Sequence, residues 1–215
     1  MEAVEIRAAV LLLLGSCAAP PRPPAARAVE TRDFRGEARR VLDVLETSFY
    51  VHWGAVERAP EFQRLGREHV PALREEADAN GPRAVLALRA LERLAPEERF
   101  GPAAKAILYA AALGRESDFS RWGAISPSGF LPGVYGQELL KLGPEAAPYL
   151  RPLLRDRRRA PAAAEPAGRV QGDRVCDYAW ILLATIFDRP LAYHGDPDRR
   201  DEQIRQMDLW LDRRR

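Results

Sequence analysis

The sequence predicts an all-α protein, and three observations support this fold class. Apolar residues recur at helical spacing, most clearly over 33–50, where they form the set Phe34, Ala38, Val41, Leu42, Leu45 and Phe49. No segment shows a convincing two-residue alternation, and the Asn-Gly pair at Asn80 and Gly81 is followed by proline. The third observation is a repeated helix-start signature. Together they predict helices joined by short turns.

The signature Gly-Pro-x-Ala-x-x-x-Leu occurs at 81–88, at 101–108 and at 143–150. Glycine ends the preceding helix, and proline takes a first helical position where no amide hydrogen bond is lost. Alanine and leucine then begin the buried face. A related copy begins at Gly66 and continues with Pro71 and Leu73. Single helices therefore alternate with short turns.

This order of helices resembles the HEAT-repeat and armadillo-like proteins over roughly 66–212. The segment 143–156 is similar to the first helix of such a repeat, and 173–179, with its Asp and Arg residues, resembles the opening of the second. The resemblance implies a right-handed α-solenoid of stacked helix pairs. A generic helical bundle is the alternative arrangement.

Two further segments have distinct roles in this prediction. The segment 174–187 is apolar around much of its circumference, so we expect a helix buried among others. Cys176 lies on this helix, where a small buried hydrophobic residue is favoured over a reactive thiol. The segment 201–214 carries Ile204, Met207 and Leu211 on one face and is expected to cap the end of the domain.

The N-terminal segment carries a processing signal. The apolar run 8–14 is far shorter than the ~20 residues of a membrane span. The sequence at the end of this run, Leu14-Gly15-Ser16-Cys17, resembles the lipobox of bacterial lipoproteins. The resemblance implies removal of 1–16 as a signal peptide and acylation of Cys17, with anchoring to a membrane facing the periplasm. An acidic residue after the cysteine would favour the inner membrane, so Ala18 slightly favours the outer one.

One feature departs from the lipobox pattern, because Glu2 and Glu5 offset the positive charge expected before the apolar run. Translation starting at Val4 would remove one of these acids. The stretch 17–31 is rich in proline and is expected to be a disordered, extended tether. The all-helical HEAT-like domain then spans 32–215.

Composition narrows the class of function. The hydrophobic content of 47% is that of a globular chain, and a net charge of +2 is too small to indicate nucleic-acid binding. The histidines fall in no metal-binding spacing, and neither a nucleophile elbow nor a phosphate loop is present. The sequence therefore predicts no metal and no cofactor.

The segment around His194, Asp196 and Asp198 is the best chemical candidate, because an imidazole and two carboxylates lie within five residues. A metal-dependent or hydrolytic envelope enzyme using this set is the alternative function. The other interpretation is an acidic turn shaped by Gly195 and Pro197, and the residue types favour it.

Two segments are candidate binding surfaces. The segment 117–136 is rich in turn formers and aromatic residues, and Trp122, Phe130 and Tyr135 are its candidate contacts. The same rings could instead cover the core between helices. The basic run Arg157, Arg158 and Arg159 is the second candidate, either as a solvated loop or as a site for an anionic polymer or lipid headgroup.

Stacked helices with an extended surface, and no catalytic set, predict a non-enzymatic scaffold or adaptor. We expect the membrane, through Cys17, and a partner protein as its interaction partners.

Overall fold

The computed structural model describes residues 32–47, 53–115, 121–126, 129–159 and 173–214. The α-helices are α1 (Phe34–Thr47), α2 (Trp53–Arg58), α3 (Pro60–Gln63), α4 (Val70–Asp78), α5 (Ala84–Leu94), α6 (Pro102–Arg115), α7 (Val134–Leu142), α8 (Ala147–Leu150), α9 (Val175–Ile186) and α10 (Pro197–Asp212). Short 3-10 helices span Arg67–His69, Gly143–Ala146 and Arg151–Arg155, and the strands are β1 (Gly123–Ser126) and β2 (Gly129–Pro132). The predicted helical character is confirmed.

The unit Asp33–Arg215 contains all of these elements. The signal peptide 1–16, Cys17 and most of the predicted tether 17–31 lie outside the described residues.

Helix α1 forms where the spacing of apolar residues predicts it. Asp33 precedes the helix, and its Oδ1 accepts a hydrogen bond of 2.9 Å from the backbone N–H of Gly36, which satisfies one free donor of the first turn. The buried face consists of Ala38, Val41, Leu42 and Leu45. Positions 48–50 of the predicted helix lie outside the described residues.

The Gly-Pro signature produces different local structures at its copies. Pro102 is the first residue of α6, as predicted. After Gly81, in contrast, a turn intervenes and α5 begins at Ala84. The third copy starts a 3-10 helix, with Gly143 at a φ of 60° closing α7. The signature therefore marks helix boundaries, while the type of helix depends on the residues that come after it.

The segment 143–155 was expected to be a regular helix and is instead a 3-10, α and 3-10 succession. Pro144, Pro148 and Pro152 recur every four residues along it. Each proline lacks the N–H that an α-helix would use and crowds the carbonyl four residues earlier. The tighter 3-10 turns avoid part of that conflict, so the chain stays helical without forming one long α-helix.

The hairpin of β1 and β2 contradicts the expectation that the chain has no strand. The strands are antiparallel, with Gly123 opposite Pro132 and Ser126 opposite Gly129. Each strand has four residues, too few for alternation to stand out in the sequence. Gly123 has a φ of 132°, and a Cβ there would lie 2.3 Å from the carbonyl oxygen of Leu131. Glycine is therefore needed where the hairpin begins.

Helix α9 is the centre of the C-terminal half. Its residues from Val175 to Ala184 are all buried, which confirms the prediction of a helix covered on every side. It contacts α7, α8, α10 and the 3-10 helix Arg151–Arg155. Cys176 is fully buried, and burial raises the pKa of its thiol to about 11. The predicted structural role of this cysteine is confirmed.

Buried carboxylates join helices that are distant in sequence. Glu76 of α4 is 6% exposed, and its oxygens accept hydrogen bonds from Arg39 Nε at 2.6 Å and from Arg83 Nε at 2.8 Å. Burial favours the neutral acid, but these two guanidinium contacts outweigh it and lower the pKa of Glu76. The carboxylate stays ionised and links α1 to α4 and to the turn before α5.

Asp177 has the same role in the C-terminal half. It is fully buried in the first turn of α9 and accepts hydrogen bonds from the backbone N–H of Arg174 at 2.9 Å and from its Nη2 at 2.9 Å. Its Oδ1 also lies 3.3 Å from Nε of Arg200, which belongs to α10 and is 1% exposed. One carboxylate therefore begins α9 and holds α10 against it.

Replacing Asp177 by alanine is expected to lower the free energy of unfolding by about 3–5 kcal/mol, because the buried guanidinium of Arg200 would lose the carboxylate beside it and Arg174 would keep only its contact with Asp201. Urea denaturation followed by circular dichroism measures the change. The control is Asp78→Ala, which removes an exposed carboxylate at the end of α4. A loss below about 1 kcal/mol for Asp177→Ala would contradict the role assigned to this network.

Candidate functional site

Trp122 and Tyr135 were predicted as partner contacts, and the structure places both in the core. Trp122 is 0% exposed and Tyr135 is 2% exposed. The Tyr135 ring lies 5.4 Å from Trp122, 5.6 Å from Trp53 and 5.8 Å from Tyr109, measured between ring centroids. Rings packed in this way offer no surface to a partner, so the partner-binding prediction is wrong for these two residues. The alternative, that the segment covers the core, describes them correctly.

Two further residues of the segment 117–136 are partly buried or exposed. Phe130 in β2 is partly buried and packs against the core, so its ring mainly stabilises the fold. Leu131, the next residue, points outwards and is 74% exposed. Positions 117–120 and 127–128 lie outside the described residues. The described part of the hairpin therefore presents Leu131 to solvent, while Phe130 packs against the core.

The predicted basic run lies on the surface, but two of its three side chains have carboxylate partners. Arg157 forms an ion pair with Asp201, and Arg158 forms one with Asp156 while also donating to the carbonyl of Gly114. Arg159 is exposed and forms a backbone bridge with Arg174. Because the chain's own acids offset much of this charge, the run is a weaker anion site than its composition indicates.

The turn of His194, Asp196 and Asp198 supports α10. Asp196 is the N-cap of this helix, and its Oδ1 accepts a hydrogen bond of 3.0 Å from the backbone N–H of Asp198. Arg200 Nη1 donates to the carbonyl oxygens of His194 and Gly195 at 3.0 and 3.1 Å. In the described part of the chain, no group of His, Cys, Asp and Glu is arranged to hold a metal ion. The geometry of these residues is that of a helix start.

A groove between α9 and α10 is the strongest candidate site. It has a volume of about 230 Å³. Its lining combines aromatic, apolar, amide and oppositely charged side chains, namely Trp180, Arg189, Pro190, Glu202, Gln203, Gln206, Met207 and Trp210. We call this feature the α9–α10 groove. Aromatic and arginine side chains together are typical of sites that bind another molecule.

A helix-ending motif positions one wall of the groove. The backbone N–H of Arg189 donates to the carbonyl of Ala184 at 2.8 Å, and that of Asp188 donates to the carbonyl of Thr185 at 3.2 Å. This pair of bonds, with Asp188 at a φ of 49°, is the Schellman ending of a helix. Arg189 and Pro190 are thereby turned back to line the groove.

Trp210 of α10 forms the centre of the site. Its ring packs edge-on against Phe187 with 5.1 Å between centroids. The guanidinium carbon of Arg189 lies 5.2 Å from the ring centroid of Trp210, and that of Arg214 lies 4.1 Å from it. Neither guanidinium forms an ion pair with a carboxylate in the described residues. Both are held by the aromatic ring and keep their charge available.

The other polar groups of the groove differ in whether they form hydrogen bonds within the protein. Glu202 accepts hydrogen bonds from Arg205 and Gln206, which lower the pKa of its carboxyl to about 2. Gln203 donates through Nε2 to the carbonyl of Ala192 at 2.9 Å. Its Oε1 is buried and accepts no hydrogen bond within the described part of the chain. Arg189 therefore offers one cation within the groove, and Arg214 adds a second beside Trp210, outside the residues that line it.

The sequence analysis singled out neither Trp210 nor Arg189. Trp210 lies outside the face formed by Ile204, Met207 and Leu211, and this position was the available signal that the ring lies at the edge of the core, only partly buried. Contact between Arg189 and Trp210 depends on how α9 and α10 pack, whereas Arg214 contacts the ring from four residues further along the chain.

Comparison with known proteins adds no family to this description: neither a family model, nor a curated protein, nor a solved structure matches the chain. No helix among the described residues is both long enough and apolar enough to span a bilayer.

Replacing Trp122 by alanine is expected to lower the free energy of unfolding by about 3–5 kcal/mol, because it leaves a large cavity beside Tyr135. The matched control is Leu131→Ala in the same hairpin, where the exposed side chain should cost less than about 0.5 kcal/mol. Thermal and urea unfolding measure both. Equal stability of the two variants would mean that Trp122 is a surface contact after all.

Proposed function

We propose that this chain is a lipid-anchored protein of the bacterial cell envelope whose helical body binds a partner protein at the α9–α10 groove. In this proposal it is a scaffold or adaptor without catalytic activity. Acylated Cys17 tethers it to the membrane on the periplasmic side, with the outer membrane favoured. The groove carries the proposal, because its aromatic and guanidinium groups are arranged for contact with another molecule.

The proposal for the anchor rests on the order of segments at the N-terminus. A short apolar run, the sequence Leu14-Gly15-Ser16-Cys17 and a proline-rich stretch succeed one another as in a bacterial lipoprotein. Multiple acyl chains on one cysteine would give stable attachment, which a single chain does not. The proline-rich stretch would then separate the folded body from the bilayer.

We further propose that the helical body is a HEAT-like solenoid. The pattern of contacts between consecutive helices supports this arrangement: α4 packs on α5, α5 on α6, α6 on α7, and α9 on α10. In a solenoid each unit contacts mainly its neighbours, and the last helix covers the end of the stack. In this arrangement α10 is the terminal helix, and the groove beside it is an end surface.

The chemistry of the groove supports partner binding. Residues that dominate protein interfaces are enriched in tryptophan and arginine, which combine a large apolar area with directed hydrogen bonds. Trp210 is partly exposed, and Arg189 and Arg214 are exposed beside it. Leu209, the residue before Trp210 on the same helix, is 43% exposed.

Replacing Cys17 by alanine is expected to release the protein from the membrane fraction, because no acyl chain could be attached. The measurement is sedimentation of membranes from cells that produce each form, with immunodetection of the protein. Wild-type protein should sediment with the membranes and resist extraction by high salt. Continued sedimentation of Cys17→Ala would contradict the lipid anchor.

A photo-reactive phenylalanine analogue at Gln206, on the rim of the groove, is expected to cross-link a defined envelope protein in intact cells. The matched control places it at Glu145, an exposed position in the 3-10 helix Gly143–Ala146. Mass spectrometry of the adducts identifies the partner. The same adducts from both positions, or none from Gln206, would count against the groove as the docking site.

A further inference from the structure

We propose that the α9–α10 groove binds an acidic peptide segment, with a carboxylate held by Arg189 and Arg214 and an adjacent apolar side chain lying against Trp210. This inference rests on the proposed function and specifies the chemistry of the partner. Two features lead to it: the available cations beside Trp210 and the shape of the groove.

The cations determine the charge of the ligand. Arg189 and Arg214 lie beside the ring of Trp210, and neither forms an ion pair with a carboxylate in the described residues. A guanidinium that stacks on an aromatic ring through its face still presents its N–H groups at its edges, where a carboxylate can bind in a bidentate manner. The nearby Glu202 does not neutralise them, because its oxygens accept hydrogen bonds from Arg205 and Gln206.

The shape of the groove favours a peptide over a bilayer surface. The space is a cleft of about 230 Å³, enough for one or two side chains of an extended segment. Its lining also includes the ionised Glu202, which would repel a continuous layer of anionic headgroups. A peptide can place its carboxylate near the arginines and its apolar side chain near Trp210 and Met207, away from Glu202.

Selection from a random heptapeptide library displayed on phage tests the inference. The target is the full chain in an uncharged detergent, and the best peptide is then measured by fluorescence anisotropy. We expect enrichment of Asp or Glu beside a large apolar residue. Arg189→Ala and Arg214→Ala should each weaken binding about tenfold, the usual effect of losing one charge-assisted hydrogen bond.

Arg213→Ala is the matched control, because it removes the same charge from the exposed neighbour of Arg214. This variant should bind within about twofold of wild type at about 0.15 M salt, where distant charges are screened. Trp210→Phe keeps an aromatic ring and should weaken binding less than Trp210→Ala. Circular dichroism of every variant establishes that it is folded.

Several results would overturn the inference. These are selection of neutral or basic peptides, failure to select any peptide, and equal losses for Arg213→Ala and Arg214→Ala. Binding to phosphatidylglycerol vesicles that depends on Arg189 and Arg214, without selection of acidic peptides, would identify a lipid surface instead. If Gln206 still cross-links a partner protein in any of these cases, the proposed function survives and the acidic chemistry alone is wrong.

Discussion

The buried carboxylate of Asp177 is the constraint on which the C-terminal half of the fold depends. It accepts a hydrogen bond from the backbone N–H of Arg174, the residue that precedes its own helix, and faces guanidinium groups from Arg174 and from Arg200 of α10. A buried ion pair adds little net stability compared with apolar packing, but breaking it leaves charges that water cannot reach. Its main contribution is therefore to favour one arrangement, in which Arg200 of α10 lies against Asp177 of α9.

That arrangement also determines what the connecting turn and the groove can do. Arg200 binds the carbonyls of His194 and Gly195, so the turn is occupied in supporting α10. The Schellman ending of α9 places Arg189 opposite Trp210. The turn and the groove thus arise from the same packing of α9 on α10. The polar groups that remain available to bind another molecule are those of the groove.

The helices were predictable where their signal is local, and the binding surface was not. The buried faces of α1 and α9 result from spacing within a single helix, which the sequence shows directly. The hairpin was missed because its four-residue strands depend on glycine conformation and on pairing. In 143–155, a proline every fourth residue replaced a regular helix with 3-10 turns. For Trp122, composition indicated an aromatic contact, but tertiary packing decided that the contact is internal.

Arginine shows why the candidate site could not be predicted from composition. Arg157 and Arg158 drew attention because they are adjacent in a basic run, yet each has a carboxylate partner in the fold. Arg189 and Arg214 are far apart in the sequence and converge on one tryptophan. A charged side chain contributes to recognition when it is held in place but not neutralised. An aromatic ring holds a guanidinium in place and leaves its charge unpaired with an acid. The functional potential of an arginine therefore depends on whether folding brings it next to an acid or next to an aromatic ring.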